Sequence, residues 1–162
     1  MLEAIPRLRR YARALTHDAD AADELVQDCL ERAWGRLGLW RRGSDMRAWL
    51  FTILHNIHVN RTRQTARRSR PMPLDTADPA AISVRPAQEA NLEAQGIVRA
   101  LDRLPEDQRQ VVLLVGLEGM SYREVAKVLG IPPGTVMSRL SRGRERLRLI
   151  MTGQDARIGK VP

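Results

Sequence analysis

The chain has one cysteine, three histidines and six aromatic residues (three Trp, two Tyr and one Phe) among its 162 residues. A single cysteine, Cys29, excludes an internal disulfide and any multi-cysteine zinc site, and it fits a reducing cytoplasm. So few aromatics leave Leu, Val, Ile, Met and Ala to build the core, which favours helices over a β-sandwich. No apolar run approaches the 18 residues of a membrane-spanning helix, and no charged segment followed by an apolar run opens the chain. A soluble, cytoplasmic protein without membrane insertion is expected. There is no nucleophile elbow, no Walker loop and no carboxylate pair in a catalytic setting, so neither enzyme activity nor a cofactor is expected. His55 and His58 have a helical spacing that can seat a metal, but no third ligand is close in sequence. They read as surface or DNA-proximal histidines.

What the chain has in excess is positive charge. It carries 27 basic and 19 acidic residues, and of the basic ones only Lys127 and Lys160 are lysine. A net charge of +8 points to a polyanionic partner, and arginine suits bidentate contacts to phosphate and guanine. The charge is unevenly spread. Residues 1–70 hold 14 basic and 8 acidic side chains, residues 71–96 hold 1 and 4, and residues 97–162 hold 12 and 7. The acidic middle also contains Pro71, Pro73, Pro79 and Pro86, and it reads as a flexible linker over 71–95. Two basic helical blocks, 1–70 and 96–153, flank it, and residues 154–162 read as a frayed tail.

In the first block, Leu8, Tyr11, Ala12 and Leu15 recur at helical spacing. A second helix is expected from Ala21 or Ala22, with Leu25, Val26, Cys29, Leu30, Ala33, Trp34 and Leu37 inward and Glu24, Gln27, Asp28 and Glu31 outward. Leu39–Asp45 reads as a loop. A third helix, Met46 to about Arg63, is expected to bury Trp49, Leu50, Ile53, Leu54 and Ile57. In the second block, helices are expected over Ile97–Leu104 and Asp107–Leu117.

Ser121–Arg148 then reads as a helix-turn-helix. Ser121 and Glu124 have capping-box spacing, Gly130 supplies a left-handed stop, and Pro132-Pro133 restarts the chain as a second helix. Val136, Leu140, Gly143 and Leu147 share its inner face. Ser138, Ser141, Arg142 and Glu145 point outward, flanked by Arg139 and Arg146, as on a helix that reads the major groove. An autonomous regulator binding operator DNA would satisfy this segment by itself.

Five stretches in fixed order extend that reading: ADELVQDCLERAW over 22–34, RAWLFTILHN over 47–56, LDRLPEDQR over 101–109, SYREVA over 121–126 and GTVMSRL over 134–140. Together they resemble bacterial RNA polymerase sigma factors of the extracytoplasmic-function (ECF) group, in the sigma-70 family. The resemblance implies an all-α fold of two small helical domains, sigma domains 2 and 4, joined by a linker that threads the polymerase RNA channel. It implies that Asp23, Glu24, Gln27, Asp28 and Glu31 dock on the β′ clamp helices of core RNA polymerase, and that the β flap is a further contact. The loop Arg42, Gly43, Ser44, Asp45 and Met46, with Asn56, would read a flipped base and its neighbour in the −10 element, while Arg61 and Arg63 grip phosphate. Thr135, Ser138, Arg139, Ser141, Arg142 and Arg146 would meet the −35 element of promoter DNA. Many members carry Lys or Arg where this chain has Met137, and some an aromatic at the position of Ser141, so the contacts shift toward Ser138, Arg139 and Arg142. Arg144, Arg146 and Arg148 suit phosphate binding or the helix dipole as well as base reading. Silencing by an anti-sigma factor is a further implication.

Overall fold

Helix caps set the frame of the first half. A computed structural model describes residues 1–41, 43–68 and 90–153, and no strand occurs among them. Helix α1, Ile5–Thr16, carries Pro6 in its first turn, where a missing N–H costs nothing, and buries Leu8, Tyr11, Ala12 and Leu15. His17 stops it in the left-handed region at φ 58°. Asp18 then caps α2, Ala19–Gly35, its carboxylate accepting from the Ala21 N–H at 2.7 Å. α2 buries Ala22, Leu25, Val26, Cys29 and Ala33, whose small members let neighbouring helices approach. Asp45 caps α3, Met46–Arg68, accepting from the N–H groups of Arg47 (2.8 Å) and Ala48 (3.2 Å). Phe51 of α3 meets Tyr11 of α1 with ring centroids 5.3 Å apart.

The second half comprises α4 (Ala90–Asp102), α5 (Glu106–Val112), α6 (Tyr122–Leu129) and α7 (Pro133–Met151). The capping box at Ser121 and Glu124 is formed in both directions, and Gly130 ends α6 at φ 64°, as its sequence demands. Between α5 and α6, Leu113–Leu117 forms one π-helical turn in which the Glu118 N–H reaches back to the Leu113 carbonyl at 3.1 Å. Gly143 of α7 lies against α5, where a Cβ would come within 2.8 Å of a Val112 methyl.

The two halves share one apolar core. Leu8, Phe51 and Leu54 belong to the same buried cluster as Val111, Leu114, Met120, Val125 and Val128. α6 packs on α3, and the π turn packs on α1.

Several expectations need correction. Trp34 is not part of the inward stripe: α2 ends at Gly35, its last turn overhangs the first-half core, and the indole is 74% exposed. Leu37, also expected inward, is exposed in a short 3-10 turn, Leu37–Leu39, that follows the end of α2 and runs into the expected loop at Leu39. His55 is no surface residue but is 7% exposed. α2 starts at Ala19, because Asp18 can cap it, and α3 runs past Arg63 to Arg68. α4 begins at Ala90 rather than Ile97, and α5 gives way to the π turn at Leu113. Arg42, residues 71–89 of the expected linker and the tail 154–162 lie outside the described residues.

Candidate nucleic-acid interface

α7 is amphipathic in the sense a recognition helix requires. Val136, Leu140 and Gly143 are buried, whereas Met137, Ser138, Ser141, Arg142 and Arg146 are exposed, and Thr135 is half-buried. Arg142, Arg144 and Arg146 make no ion pair among the described residues, so their guanidinium donors remain free for an outside acceptor. Arg139 differs: its Nε lies 3.1 Å from Asp107 Oδ2 on α5, so it braces the domain. Arg148 pairs with Glu145 at 2.7 Å, one turn away. Ser138 Oγ donates back to the Thr135 carbonyl at 3.1 Å. Tyr122, Met137, Leu140, Ser141 and Arg144 line an open groove of about 510 Å³ beside this face.

The loop ahead of α3 is a tight turn with Gly43 at φ 88°, a conformation that favours glycine. Two of its described side chains, Ser44 and Asp45, are committed inside the loop. Ser44 Oγ donates to the Arg41 carbonyl at 2.7 Å, and Asp45 caps α3. Gly43 is exposed, so its backbone is accessible, and Arg41 is exposed beside it. Asn56 is exposed on the outer side of α3, Met46 is half-buried, and Arg63 is exposed without an ion pair among the described residues. Arg61 instead pairs with Asp28 Oδ2 at 2.8 Å and lies 3.8 Å from Glu24 Oε2.

On α2, Asp23, Glu24, Gln27 and Glu31 are exposed and Asp28 is half-buried, so the acidic row is available as one surface. Gln27 donates to Glu31 at 2.9 Å, and Arg9 holds Asp23 at 3.2 Å. Where this row ends, Trp34 joins Met1, Leu37, Gly38, Trp40 and Met46 around an apolar pocket that the inward-stripe reading missed. Its signal was present in the sequence as two tryptophans in a Gly-rich stretch, Trp34 to Gly43.

A seam between the two halves was also missed. Arg10 of α1 donates from Nε and Nη2 to Glu118 Oε1 at 3.1 and 2.9 Å. Arg47 of α3 donates to the Glu118 carbonyl and to Glu124 Oε1, both at 3.3 Å. Hydrogen bonds to Ser121, followed by the charge of Arg47, hold the Glu124 carboxyl down at about 2. His17 Nδ1 lies 3.0 Å from Asp102, and its Nε2 faces the Arg109 guanidinium. His58 pairs with Glu106 at 3.1 Å. Burial opposes ionisation of Glu106, but hydrogen bonds from His58 and Gln110 with the charge of Arg109 prevail and hold its carboxyl at about 2. Beside it, burial and the charge of His58 press the His55 imidazole down to about 4.

Residues 1–55 match the family model described as the Sigma2 domain of PhyR, and residues 94–147 match that of Sigma-70, region 4. The chain is 39% identical over 151 residues to the ECF RNA polymerase sigma factor EcfG of Rhodopseudomonas palustris, covering 93% of this chain and 82% of that protein. It is 34% identical over 145 residues to the ECF RNA polymerase sigma factor SigM of Mycobacterium tuberculosis, covering 90% and 71%. Among solved structures it is similar to the sigma factor RpoE, in complex with the anti-sigma factor NepR, from Bartonella quintana. That match has a TM-score of 0.80 at 36% identity and covers 93% of each chain.

Proposed function

The chain belongs to the ECF group of RNA polymerase sigma factors, and from that premise we propose that it docks on core RNA polymerase, directs it to a −35/−10 promoter and assists DNA melting. The observation that carries this reading is the segregation of charge. Free arginines cluster on α7 and at the end of α3, whereas an acidic row occupies the outer face of α2. In this reading α2 meets the arginine-rich β′ clamp helices, where complementary charge sets orientation and on-rate. Trp34, at the end of the row, adds a large exposed apolar anchor of the kind that dominates interface energetics. The β flap is the counterpart of the second half.

On DNA, α7 enters the major groove of the −35 element with Arg142 and Arg146 outermost. The Gly43 turn and Asn56 receive a flipped base and its neighbour in the −10 element, and Arg63 holds phosphate. Unpairing costs only a few kcal/mol per base, within reach of the hydrogen bonds and stacking that capture supplies. The polymerase performs the chemistry, and the sigma chain is released after initiation. By its similarity to the RpoE chain, solved with the anti-sigma factor NepR, this chain is assigned an anti-sigma partner, and the promoter role assigns it to the cytoplasm, where polymerase and template meet. Among the described residues no helix is long and apolar enough to cross a membrane.

Run-off transcription with purified core polymerase and a promoter library tests the reading. New start sites, and comigration with core, are the expected result. Specific binding of the free chain to operator DNA, with no new start sites, would replace it with an autonomous regulator.

A further inference from the structure

Two apolar side chains stand on a helix face otherwise built of serine, arginine and glutamate. Met137 of α7 is 56% exposed, and Tyr122, the first residue of α6, is 40% exposed. They are not scattered singly, because both line the open groove of about 510 Å³, in which Leu140, almost wholly buried, adds apolar surface. Along α7 the same groove continues through Ser141, Arg144 and Arg148. With Met137 these residues are spaced four, three and four apart, so they form one stripe of the helix. Leaving a methionine and a tyrosine in water forgoes the free energy that covering them releases.

The chemistry of the lining decides what covers it. Met137 has no donor, and its thioether is a weak, polarisable acceptor, so it can neither fork onto guanine nor grip phosphate. Glu145, further along the groove, accepts from Arg148 at 2.7 Å, and that bond with the arginine's charge holds its carboxyl below the usual range. A fixed carboxylate disfavours a phosphate inside the groove. Of the groups that base pairs present in the major groove, the thymine C5 methyl is the apolar one. Ser141, one turn from Met137, supplies a hydroxyl that can donate to thymine O4, and Arg144 stands on the same stripe for the adjoining phosphate. We infer that Met137 and Tyr122 form a methyl-reading site that specifies thymine within the −35 element. This rests on the promoter reading above, in which α7 enters the major groove. It adds a base that the free arginines leave unread, since Arg142 suits guanine.

The test uses the full chain with core polymerase on a promoter library randomised across the −35 element. The unaltered chain should select thymine at one position. Replacing that thymine with uracil keeps the pairing and O4 and removes only the methyl. Run-off product from a limiting concentration of holoenzyme should then fall about fourfold, the equivalent of about 0.8 kcal/mol for one buried carbon. Met137→Ala should use the thymine and uracil templates equally, and Tyr122→Ala should narrow the difference between them. Arg142→Ala, by contrast, should lower product from both templates and keep their ratio. Met137→Arg should move the selected base at that position from thymine to guanine. Met137 is exposed, so its variants should melt at the temperature of the unaltered chain; should Tyr122→Ala disturb the first turn of α6, the Met137 variants decide without it. No selected thymine, equal use of the two templates by the unaltered chain, or discrimination that persists in Met137→Ala overturns the methyl site and leaves the promoter reading standing. Absence of start sites from every member of the library removes the promoter reading, and the methyl site with it.

Discussion

Arg61 Nη2 lies 2.8 Å from Asp28 Oδ2, so an arginine expected on DNA phosphate is held by a carboxylate expected on polymerase. Glu24 lies 3.8 Å from the same guanidinium. Each acid that turns to a cationic partner frees Arg61, which couples the two surfaces through one side chain. Asp28→Asn should therefore raise the affinity of the free chain for DNA at low salt while weakening its binding to core. Both partners are more than a third exposed, so the gain is limited to that of a surface pair, about 0.2–1 kcal/mol or up to roughly fivefold. Fluorescence anisotropy with a short duplex measures the first effect, and comigration with core measures the second. A fall in free-chain affinity would show that Arg61 has no part in holding DNA.

Arg142 and Arg139 are three residues apart on α7 but are not equivalent. Arg142 is free, and Arg139 is braced to Asp107. Arg142→Ala should reduce transcription from a −35-dependent promoter by about 1–3 kcal/mol of binding, roughly tenfold, with the melting temperature unchanged. Arg139→Ala should do the reverse, lowering the melting temperature slightly with a smaller effect on promoter use. Gln27→Ala should impair core binding and leave −35 preference intact. Exchanged phenotypes for Arg142 and Gln27 would break the assignment of these faces.

Gly143 stands where a Cβ would come within 2.8 Å of Val112 Cγ2 and 3.4 Å of Gln108 Cβ. Val112 is β-branched on a helix and has essentially one rotamer, so it cannot swing aside cheaply. Overpacking costs about 1–3 kcal/mol, against which alanine recovers about 1 kcal/mol of helix propensity. Gly143→Ala should thus lower the melting temperature by about 2–4 °C. Adding Val112→Ala should restore part of the loss, and a raised melting temperature in the single variant would contradict the close approach of α7 and α5.

The helices and the caps were legible because their signals are local. Ser121 with Glu124, and Gly130, each act within one turn, and the stripes of α1, α3 and α7 follow from period alone, whereas Asp18 read as part of a break and its cap moves the start of α2 back to Ala19. Trp34 misled because periodicity tells which side of a helix is apolar but not where a core stops. The seam was illegible for a different reason. Arg10 and Glu118 are 108 residues apart, and an arginine in a basic helix gives no sign of which acid it will meet. Glu118 alone offered a hint, as a lone acid among Leu113, Leu114, Val115, Leu117 and Met120. Within the candidate site, the arginines were placed on the correct helices, but their availability depends on partners from other elements, as Asp28 and Asp107 show.

Proton linkage gives the last prediction, and it turns on His55. Burial first, then the charge of His58, depresses its imidazole to about 4 from an ordinary 6.5, against a weaker opposing pull from Glu106. The unfolded chain therefore binds a proton on this residue between about pH 6.5 and 4 that the folded chain refuses. Stability is fully present above pH 6.5 and declines as pH falls through this window, by up to ~3 kcal/mol. Glu106 and Glu124, both held at about 2 against an ordinary 4.5, add further loss of the same sign, but only below about pH 4.5. The two contributions separate on the pH axis. His55 Nδ1 has no hydrogen-bond partner among the described residues, so His55→Leu forfeits little and removes the titrating group. Urea unfolding at pH 7.5, 5.5 and 4.5 should show stability falling across the series in the unaltered chain and nearly level in the His55→Leu chain. A slope that survives the substitution would assign the acid sensitivity to the carboxylates instead.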